Sequence, residues 1–321
     1  MTRNLLVGAD VGGTAVKYVL VDHEGRQVAR GDVPTDPHSA PASIGRMADA
    51  VRGHLPDGAA VAAAGLACAG IVDTVTGDLG RSPNLPGWEG SNLLDALRDA
   101  FGAMPTAVAN DVNGALYGEF RHGAGRGCRH LVMMALGTGV GGGVMVDGRL
   151  VTGHAHGAGE IGHMTLDPAG PVCQCGNPGC LEAYCGSVGL LRRARELAAD
   201  HQATGAWRAA VDDLGSALTT RHCHDLAVQG DATALRLFAE AGARLGQATA
   251  SLVNVLAPER VIIGGGVAQA GDLFLAPCRE LVARHVMSEA GRATPVVPAE
   301  LGNFAASMGA AALAAEAGAA P

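Results

Sequence analysis

Four side chains of the types that bind metals lie close together near the middle of the chain. Cys173, Cys175 and Cys180 follow a C-x-C-x4-C spacing, and His163 lies ten residues before the first cysteine. Three thiolates and one imidazole can supply the four ligands of a closed tetrahedral zinc site, which leaves no position for water. We therefore expect a structural Zn²⁺ that orders this loop. A group of buried free thiols is the alternative, although cytosolic proteins rarely cluster cysteines without a metal or redox role.

Three glycine-rich segments could bind phosphate groups through their backbone N–H donors. Their sequences are DVGGT (10–14), LGTGVGGG (136–143) and IGGGV (263–267). Glycine lets the backbone approach an anion because no Cβ intervenes, and threonine adds a hydroxyl donor. The candidate phosphate-binding residues are Gly12, Gly13, Thr14, Gly137, Thr138, Gly139, Gly264, Gly265 and Gly266. Each segment alone also fits an ordinary hairpin turn, but the three in this order favour phosphate binding.

Two aspartates could take part in phosphoryl chemistry beside these turns. Asp10 ends a predicted buried strand, where it could hold a water molecule bound to Mg²⁺. Asp111 opens a predicted helix, where it could accept the proton of a substrate hydroxyl as that oxygen attacks a γ-phosphoryl group. A turn or capping role is the alternative for Asp10, and a plain helix N-terminal position is the alternative for Asp111.

The elements that must position these residues are strands and helices in alternation. NLLVGADVGGTAVKYVLVD and HLVMMALGTGVGGGVMVDGRLV each read as strand, glycine turn and strand, with Gly12 and Gly13 expected to take positive φ. A hairpin disfavours the dinucleotide-binding fingerprint, which requires a helix after its glycines. Two such hairpins suggest two related domains.

Several helices are also predicted from apolar spacing. PTAVANDVNGALYGEF reads as a strand that leads into a helix at residues 110–111, and NLLDALRDAFG reads as a helix. A long helix should end at Pro258, and the tail NFAASMGAAALAAEAG should form a helix that ends in glycine. Residues 205–225 are not assigned to an element.

Composition limits the class of protein. The chain has 321 residues with 48% hydrophobic content, which is long enough for two domains. A net charge of -8 provides no basic surface for nucleic acid or for an anionic membrane. Without an apolar run of about 18 residues or a secretory signal, we expect a cytoplasmic protein.

Taken together, these motifs resemble the ROK family of sugar kinases over nearly the whole chain. DVGGT and LGTGVGGG are similar to its two phosphate motifs, HGAGEIGH with CQCGNPGCLE to its signature and zinc site, and APERVIIGGGV to its adenosine segment. The resemblance is strongest to the family's glucokinases. It implies an α/β protein of the actin-like ATPase (ribonuclease H-like) fold, with a mixed sheet in each of two domains and a cleft between them. Residues 1–110 with a C-terminal helix at 303–321 would form the smaller domain, and 111–302 the larger domain with the zinc site and an oligomer surface.

The resemblance also implies an activity, the transfer of phosphate from ATP, with Mg²⁺, to the primary hydroxyl of a hexose, above all from glucose to glucose 6-phosphate. Asp111 would be the general base. The sugar would be bound by Gly70 through its backbone and by Asn84, Asn110, Glu160, His163 and Glu182. Carboxylates and amides suit pairs of neighbouring hydroxyls, and His163 would use one ring nitrogen for zinc and the other for the sugar. Glu160 and Glu182 could otherwise be exposed surface acids.

Some positions depart from the family pattern. Ala15 follows GGT where a lysine is usual, and the lysine assigned to the phosphate site is Lys17. This spacing also occurs in relatives that use polyphosphate, so both donors stay open. Around the expected sugar pocket, Ala109, the segment ACAGIVD and Cys185 also depart from the pattern.

These departures leave other substrates and roles open. The same chemistry could act on an N-acylhexosamine or on a sugar-like cyclitol. A sugar-responsive regulator would be expected to carry a DNA-binding domain before the first phosphate motif, whereas Asp10 lies ten residues from the start. A sugar-binding protein without activity is disfavoured by the retained aspartates and glycine turns. The expected partners are a small sugar or polyol and further copies of the chain, as a homodimer or homotetramer.

Overall fold

The structure is a computed structural model that describes residues 3–319. Its strands are β1 (Arg3–Val11), β2 (Ala15–Val21), β3 (Gln27–Pro34), β4 (Ala59–Cys68), β5 (Thr106–Asn110), β6 (Leu131–Leu136), β7 (Val140–Val146), β8 (Arg149–Leu150), β9 (Arg260–Gly264) and β10 (Val296–Pro298). Its helices are α1 (Ala40–Gly53), α2 (Leu93–Phe101), α3 (Asp111–His122), α4 (Glu182–Cys185), α5 (Ser187–Ala198), α6 (Gly205–Leu214), α7 (Thr220–Val228), α8 (Ala232–Leu256), α9 (Asp272–His285), α10 (Glu289–Arg292) and α11 (Ala305–Ala319).

The chain folds into two compact units. The first contains the chain up to Arg129, Gly143–Ala158 and the chain from Ala299 onward, and the second contains His130–Gly142 and Gly159–Pro298. The predicted division into a domain of 1–110 with 303–321 and a domain of 111–302 stays a prediction. Its outermost residues, 1–2 and 320–321, lie outside the described residues.

The first sheet has the strand order β3-β2-β1-β4-β5. Strands β1, β2 and β3 pair antiparallel, while β4 is parallel to both β1 and β5, so the sheet is mixed. The predicted first hairpin is confirmed, and it places Asp10 opposite Lys17. The expected positive φ of Gly12 and Gly13 is wrong, since neither is among the positive-φ glycines of the described chain. A Cβ at position 13 would lie 3.2 Å from the Asn84 carbonyl oxygen, a tight contact that favours glycine there.

The alternation of side chains along β1 explains the packing of this sheet. Leu5 and Val7 point into a core shared with α1 and α2, while Leu6 points to the opposite face, where α11 packs. Close approach of α11 requires glycine, because a Cβ at Gly8 would lie 1.8 Å from the Ser307 carbonyl oxygen. The predicted tail helix is therefore confirmed as α11, but it continues through Gly318 and does not end there.

The second sheet has the order β10-β9-β6-β7-β8 and is also mixed, because β6, β9 and β10 are parallel and β7 and β8 are antiparallel. The predicted second hairpin and the predicted long helix, α8, are both confirmed. Helix α8 ends at Leu256 because Ala257 adopts the left-handed conformation directly before Pro258. The unassigned segment 205–225 forms α6 and most of α7, with Trp207 fully buried.

Each of the two sheets therefore has five strands and mixed pairing, which confirms the predicted α/β class. Within residues 3–319, no helix has the length and apolar character that a membrane span requires.

Candidate active site

Two carboxyl groups lie beside the first glycine turn. Asp10 precedes the last residue of β1, and Asp111 is the first residue of α3. Burial and the nearby negative charge of Asp111 raise the pKa of Asp10 to about 6, against an opposing effect of Lys17. Burial also raises the pKa of Asp111, although hydrogen bonds from Val112 and its neighbours oppose this effect. Such a pair can accept a proton and attract a cation, because burial favours the protonated form of both groups and the charge of Asp111 disfavours ionisation of Asp10.

Asn110 holds the start of α3 and also contacts the predicted sugar-binding glycine. Its Oδ1 accepts hydrogen bonds from the backbone N–H groups of Val112 and Asn113, at 2.9 and 3.1 Å, and so caps the helix. Its Nδ2 donates to the Gly70 carbonyl oxygen at 3.1 Å. Gly70 has a φ of 127°, and a Cβ there would lie 2.7 Å from the Arg81 carbonyl oxygen, so only glycine fits this position.

The first glycine turn is supported by a residue that the sequence analysis missed. Within the turn, the Gly12 N–H donates to the Ala15 carbonyl oxygen at 3.0 Å. Thr35 supports it from outside, because its Oγ1 donates to the Gly12 carbonyl oxygen at 2.8 Å and its N–H donates to the Thr14 carbonyl oxygen at 3.1 Å. The segment DVPTDP that contains Thr35 reads only as the end of a strand and gives no signal of this contact.

The second glycine turn, between β6 and β7, is supported by the segment that begins α4 and α5. Oε2 of Glu182 accepts a hydrogen bond from the Val140 N–H at 3.0 Å, and the Ser187 N–H donates to the Gly137 carbonyl oxygen at 2.9 Å. A Cβ at Gly139 would lie 2.1 Å from Glu182 Oε2, so a larger residue at this position would displace the carboxylate from the turn.

The third glycine segment, at the end of β9, lies against the second turn. Gly265 has a φ of 89°, and a Cβ there would lie 2.3 Å from the Leu136 carbonyl oxygen. The structure therefore brings Gly264, Gly265 and Gly266 next to the turn that contains Thr138.

The predicted metal ligands lie together. One ligand atom from each of His163, Cys173, Cys175 and Cys180 lies within 4.8 Å of all the others. Sγ of Cys175 is 3.7 Å from Sγ of Cys180, and Sγ of Cys173 is 3.8 Å from Nδ1 of His163. Zinc–sulfur bonds of about 2.3 Å in a tetrahedron separate the sulfurs by about 3.8 Å. The four donors therefore fit a tetrahedral metal site in both type and spacing.

Two glutamates border this cluster. Oε1 of Glu182 lies 3.3 Å from Sγ of Cys173, so Glu182 contacts both the cluster and the second glycine turn. Nε2 of His163 faces away from the cysteines toward Glu160, whose Oε2 is 4.0 Å away. His163 thus presents one ring nitrogen to the cluster and the other to a candidate sugar-binding carboxylate.

Comparison with known proteins gives matches over nearly the whole chain. Residues 6–317 match a family model described as the ROK family. A glucokinase of Halalkalibacterium halodurans is 34% identical over 316 residues, covering 96% of this chain and 94% of that protein. A glucokinase of Streptomyces coelicolor is 34% identical over 314 residues, covering 97% of this chain and 98% of that protein.

Among solved structures, a ROK family glucokinase from Streptomyces griseus, crystallised in complex with glucose and AMPPNP, has a TM-score of 0.80 and 35% sequence identity. The match covers 97% of this chain and 99% of that chain. Together with the two mixed five-stranded sheets, this similarity confirms the predicted actin-like ATPase fold.

Proposed function

The chain belongs to the ROK family, and we propose that it is an ATP-dependent sugar kinase that phosphorylates the primary hydroxyl of a hexose, above all glucose at O6. The observation that carries this proposal is the half-buried Asp111 carboxylate at the start of α3, beside Asp10 and the first glycine turn. The near full-length similarity to glucokinases from three organisms supports the choice of glucose.

Asp111 acts as the general base in this reaction. Its carboxylate accepts the proton of the O6 hydroxyl while that oxygen forms a bond to the γ-phosphorus of ATP. The bond between the γ-phosphorus and the bridging oxygen breaks, and ADP leaves with that oxygen. Burial suits Asp111 to this role, because a raised pKa increases the affinity of the carboxylate for the proton it takes up.

The glycine turns would bind the phosphates, and Asp10 would bind the Mg²⁺ that accompanies them. The turns offer backbone N–H groups from Gly13, Gly139 and the Gly264–Gly266 segment, while those of Gly12 and Gly137 bond to carbonyl oxygens within their own turns. Lys17 adds the only ammonium group of a side chain in this sequence. Asp10 would hold Mg²⁺ through a bound water, and Mg²⁺ when bound neutralises charge on the phosphates. A cation fits here, because it would relieve the repulsion between Asp10 and Asp111 that raises the pKa of Asp10.

Sugar binding is assigned to Gly70, Asn84, Asn110, Glu160, His163 and Glu182. Zn²⁺ would be held by His163 and the three cysteines, and its contribution is to order the loop that carries Glu160, His163 and Glu182. The orientation of His163, with Nδ1 toward Cys173 and Nε2 toward Glu160, supports this double role.

The proposal is tested by an assay of ADP release with ATP and Mg²⁺ over a panel of glucose, mannose, fructose, N-acetylglucosamine, N-acetylmannosamine and a C7-cyclitol. We expect glucose to have the highest kcat/KM. Turnover of only one other member of the panel would identify a different substrate for the same reaction. Replacing ATP with polyphosphate in the same assay tests which phosphate donor the protein uses. No turnover with any acceptor and either donor would contradict the proposal.

The assembly into a homodimer or homotetramer and the cytoplasmic location stay predictions. Light scattering coupled to gel filtration measures the number of chains in the assembly directly.

A further inference from the structure

Thr35 contacts the first glycine turn with both of its hydrogen-bond donors. The hydroxyl reaches the Gly12 carbonyl oxygen at 2.8 Å, and the backbone N–H reaches the Thr14 carbonyl oxygen at 3.1 Å. Thr35 directly follows β3, the edge strand of the first sheet, and Pro34 is paired with Ala15 across that edge. Thr35, which follows the edge strand, therefore fixes the carbonyl groups of both Gly12 and Thr14.

The direction of these carbonyl groups sets the direction of the N–H donors. In a trans peptide, the C=O and the N–H point in opposite directions, and the described chain contains no cis peptide. With the Gly12 carbonyl held toward Thr35, the N–H of Gly13 in the same peptide points away from Thr35. Gly13 is exposed, so an anion can reach this N–H.

Thr35 is itself held firmly by its neighbour Asp36. The Asp36 N–H donates to Oγ of Ser43 at 2.7 Å, and the Asp36 carbonyl oxygen accepts from Nε1 of Trp88 at 2.7 Å. Ser43 and Trp88 are both fully buried, so the partners of Asp36 in these two bonds are fixed by the core. The hydroxyl of Thr35 is thus presented from a fixed backbone.

From this network we infer that Thr35 is a positioning residue for the phosphate donor, because it holds the Gly12–Gly13 peptide so that the Gly13 N–H is aimed at the phosphates of ATP. The inference rests on the proposed function. It deepens that proposal, because it names a residue that would set the affinity for ATP by positioning the turn, without binding ATP or the sugar itself. Losing the hydroxyl should weaken binding of the donor and leave binding of the sugar unchanged.

The test compares Thr35→Val with Thr35→Ser. Valine keeps the branched shape and the backbone N–H but removes the hydroxyl, whereas serine keeps the hydroxyl and removes a methyl group. Titration calorimetry with AMPPNP should show roughly three- to tenfold weaker binding for T35V, the loss expected for one ordinary hydrogen bond, and near-normal binding for T35S. The KM for ATP should rise by a similar factor, while the sugar Kd and the melting temperature stay near those of the unmodified protein.

Two results would overturn the inference. The first is a folded T35V protein that binds AMPPNP as tightly as the unmodified protein, and the second is an equal loss in T35S and T35V, which would assign the effect to packing. If T35V does not fold, Ser43→Ala replaces it, because it removes the acceptor of the Asp36 N–H. S43A must then weaken AMPPNP binding more than sugar binding, and equal weakening of both overturns the inference.

The proposed function and this inference fail in different ways. An unmodified protein that binds AMPPNP but phosphorylates no sugar overturns the proposed function alone, since the AMPPNP titrations still decide the role of Thr35. An unmodified protein that does not bind AMPPNP overturns both.

Discussion

The two hairpin turns that are predicted to bind phosphate, DVGGT and LGTGV, are supported in different ways. The first is held by Thr35, which lies 23 residues from its partner Gly12 and belongs to the same run of antiparallel strands. The second is held by Glu182, which lies 42 residues from its partner Val140, after the loop with the metal-binding cluster. Similar turns thus depend on nearby strand pairing in one case and on a long, irregular loop in the other.

The electrostatic surroundings of the two turns differ as well. The first lies beside Asp10 and Asp111, where burial raises the pKa of both carboxyl groups and the charge of Asp111 raises that of Asp10 further. The second lies beside Glu182, which also contacts Cys173 of the metal cluster. We therefore expect the first region to respond to changes of charge and pH, and the second to respond to loss of the metal.

The largest effect is expected from Asp111→Asn in the first region. The amide keeps the shape of the side chain but cannot accept the substrate proton, so kcat should fall by roughly 10² to 10⁴. Sugar affinity, measured by calorimetry without ATP, should stay near normal. The matched control is Asp49→Asn, at an exposed position of α1, which should leave kcat unchanged. An ordinary kcat in D111N would remove Asp111 from the role of base.

A smaller but distinct effect is expected from Cys175→Ser in the second region. Loss of one thiolate should release the zinc and loosen the loop that carries Glu160, His163 and Glu182, which should weaken sugar binding by roughly 10- to 100-fold. Elemental analysis and calorimetry measure the two quantities in the same samples. Cys128→Ser is the control, because Cys128 lies outside the cluster and should leave the metal content unchanged. Unchanged sugar affinity in a zinc-free protein would refute the ordering role.

The smallest effect is expected from Asp10→Asn, on stability as a function of pH. The pKa of Asp10 is about 6 in the folded protein against 3.8 for the free group, so the folded state favours the protonated carboxyl. The ionised form therefore destabilises the fold above pH 6, and this penalty disappears as the pH falls toward 4. Without added Mg²⁺, D10N should be more stable than the unmodified protein by on the order of 2 kcal/mol at pH 8.

Urea unfolding at several pH values from 4 to 8 checks this prediction. The stability difference should shrink toward zero at the acidic end. A difference that is the same at every pH would mean that the charge of Asp10 is not its cause. C175S gives the contrast between the two regions at pH 8, where it should be less stable than the unmodified protein because it loses a metal ligand, whereas D10N should be more stable.

The sequence predicts those parts of the fold and of the candidate site that depend on residues close together along the chain. The two hairpins follow from apolar strands on either side of glycines, and the metal cluster follows from the spacing of Cys173, Cys175 and Cys180. The end of α8 follows from Pro258. Each of these depends on residues that are close together along the chain.

Features that depend on distant contacts were missed or wrong. Positive φ was expected at Gly12 and Gly13, but position 13 is restricted by the carbonyl oxygen of Asn84 from another loop. Helix α6 is not predicted from the sequence, although Trp207, Val211 and Leu214 follow the i, i+4, i+7 spacing that is typical of a helix. No local pattern marks Thr35 or Glu182 as supports of the turns, because each bonds to a residue that is remote in sequence.

The pairing of Lys17 with Asp10 across the first hairpin has a practical consequence for labelling chemistry. Since Lys17 is the only lysine of the sequence, an amine-reactive reagent has one side-chain target, which is half-buried on β2 beside Asp10. The extent of labelling of the peptide that contains Lys17, measured by mass spectrometry, therefore reports occupancy at one turn, without a mutation and without turnover.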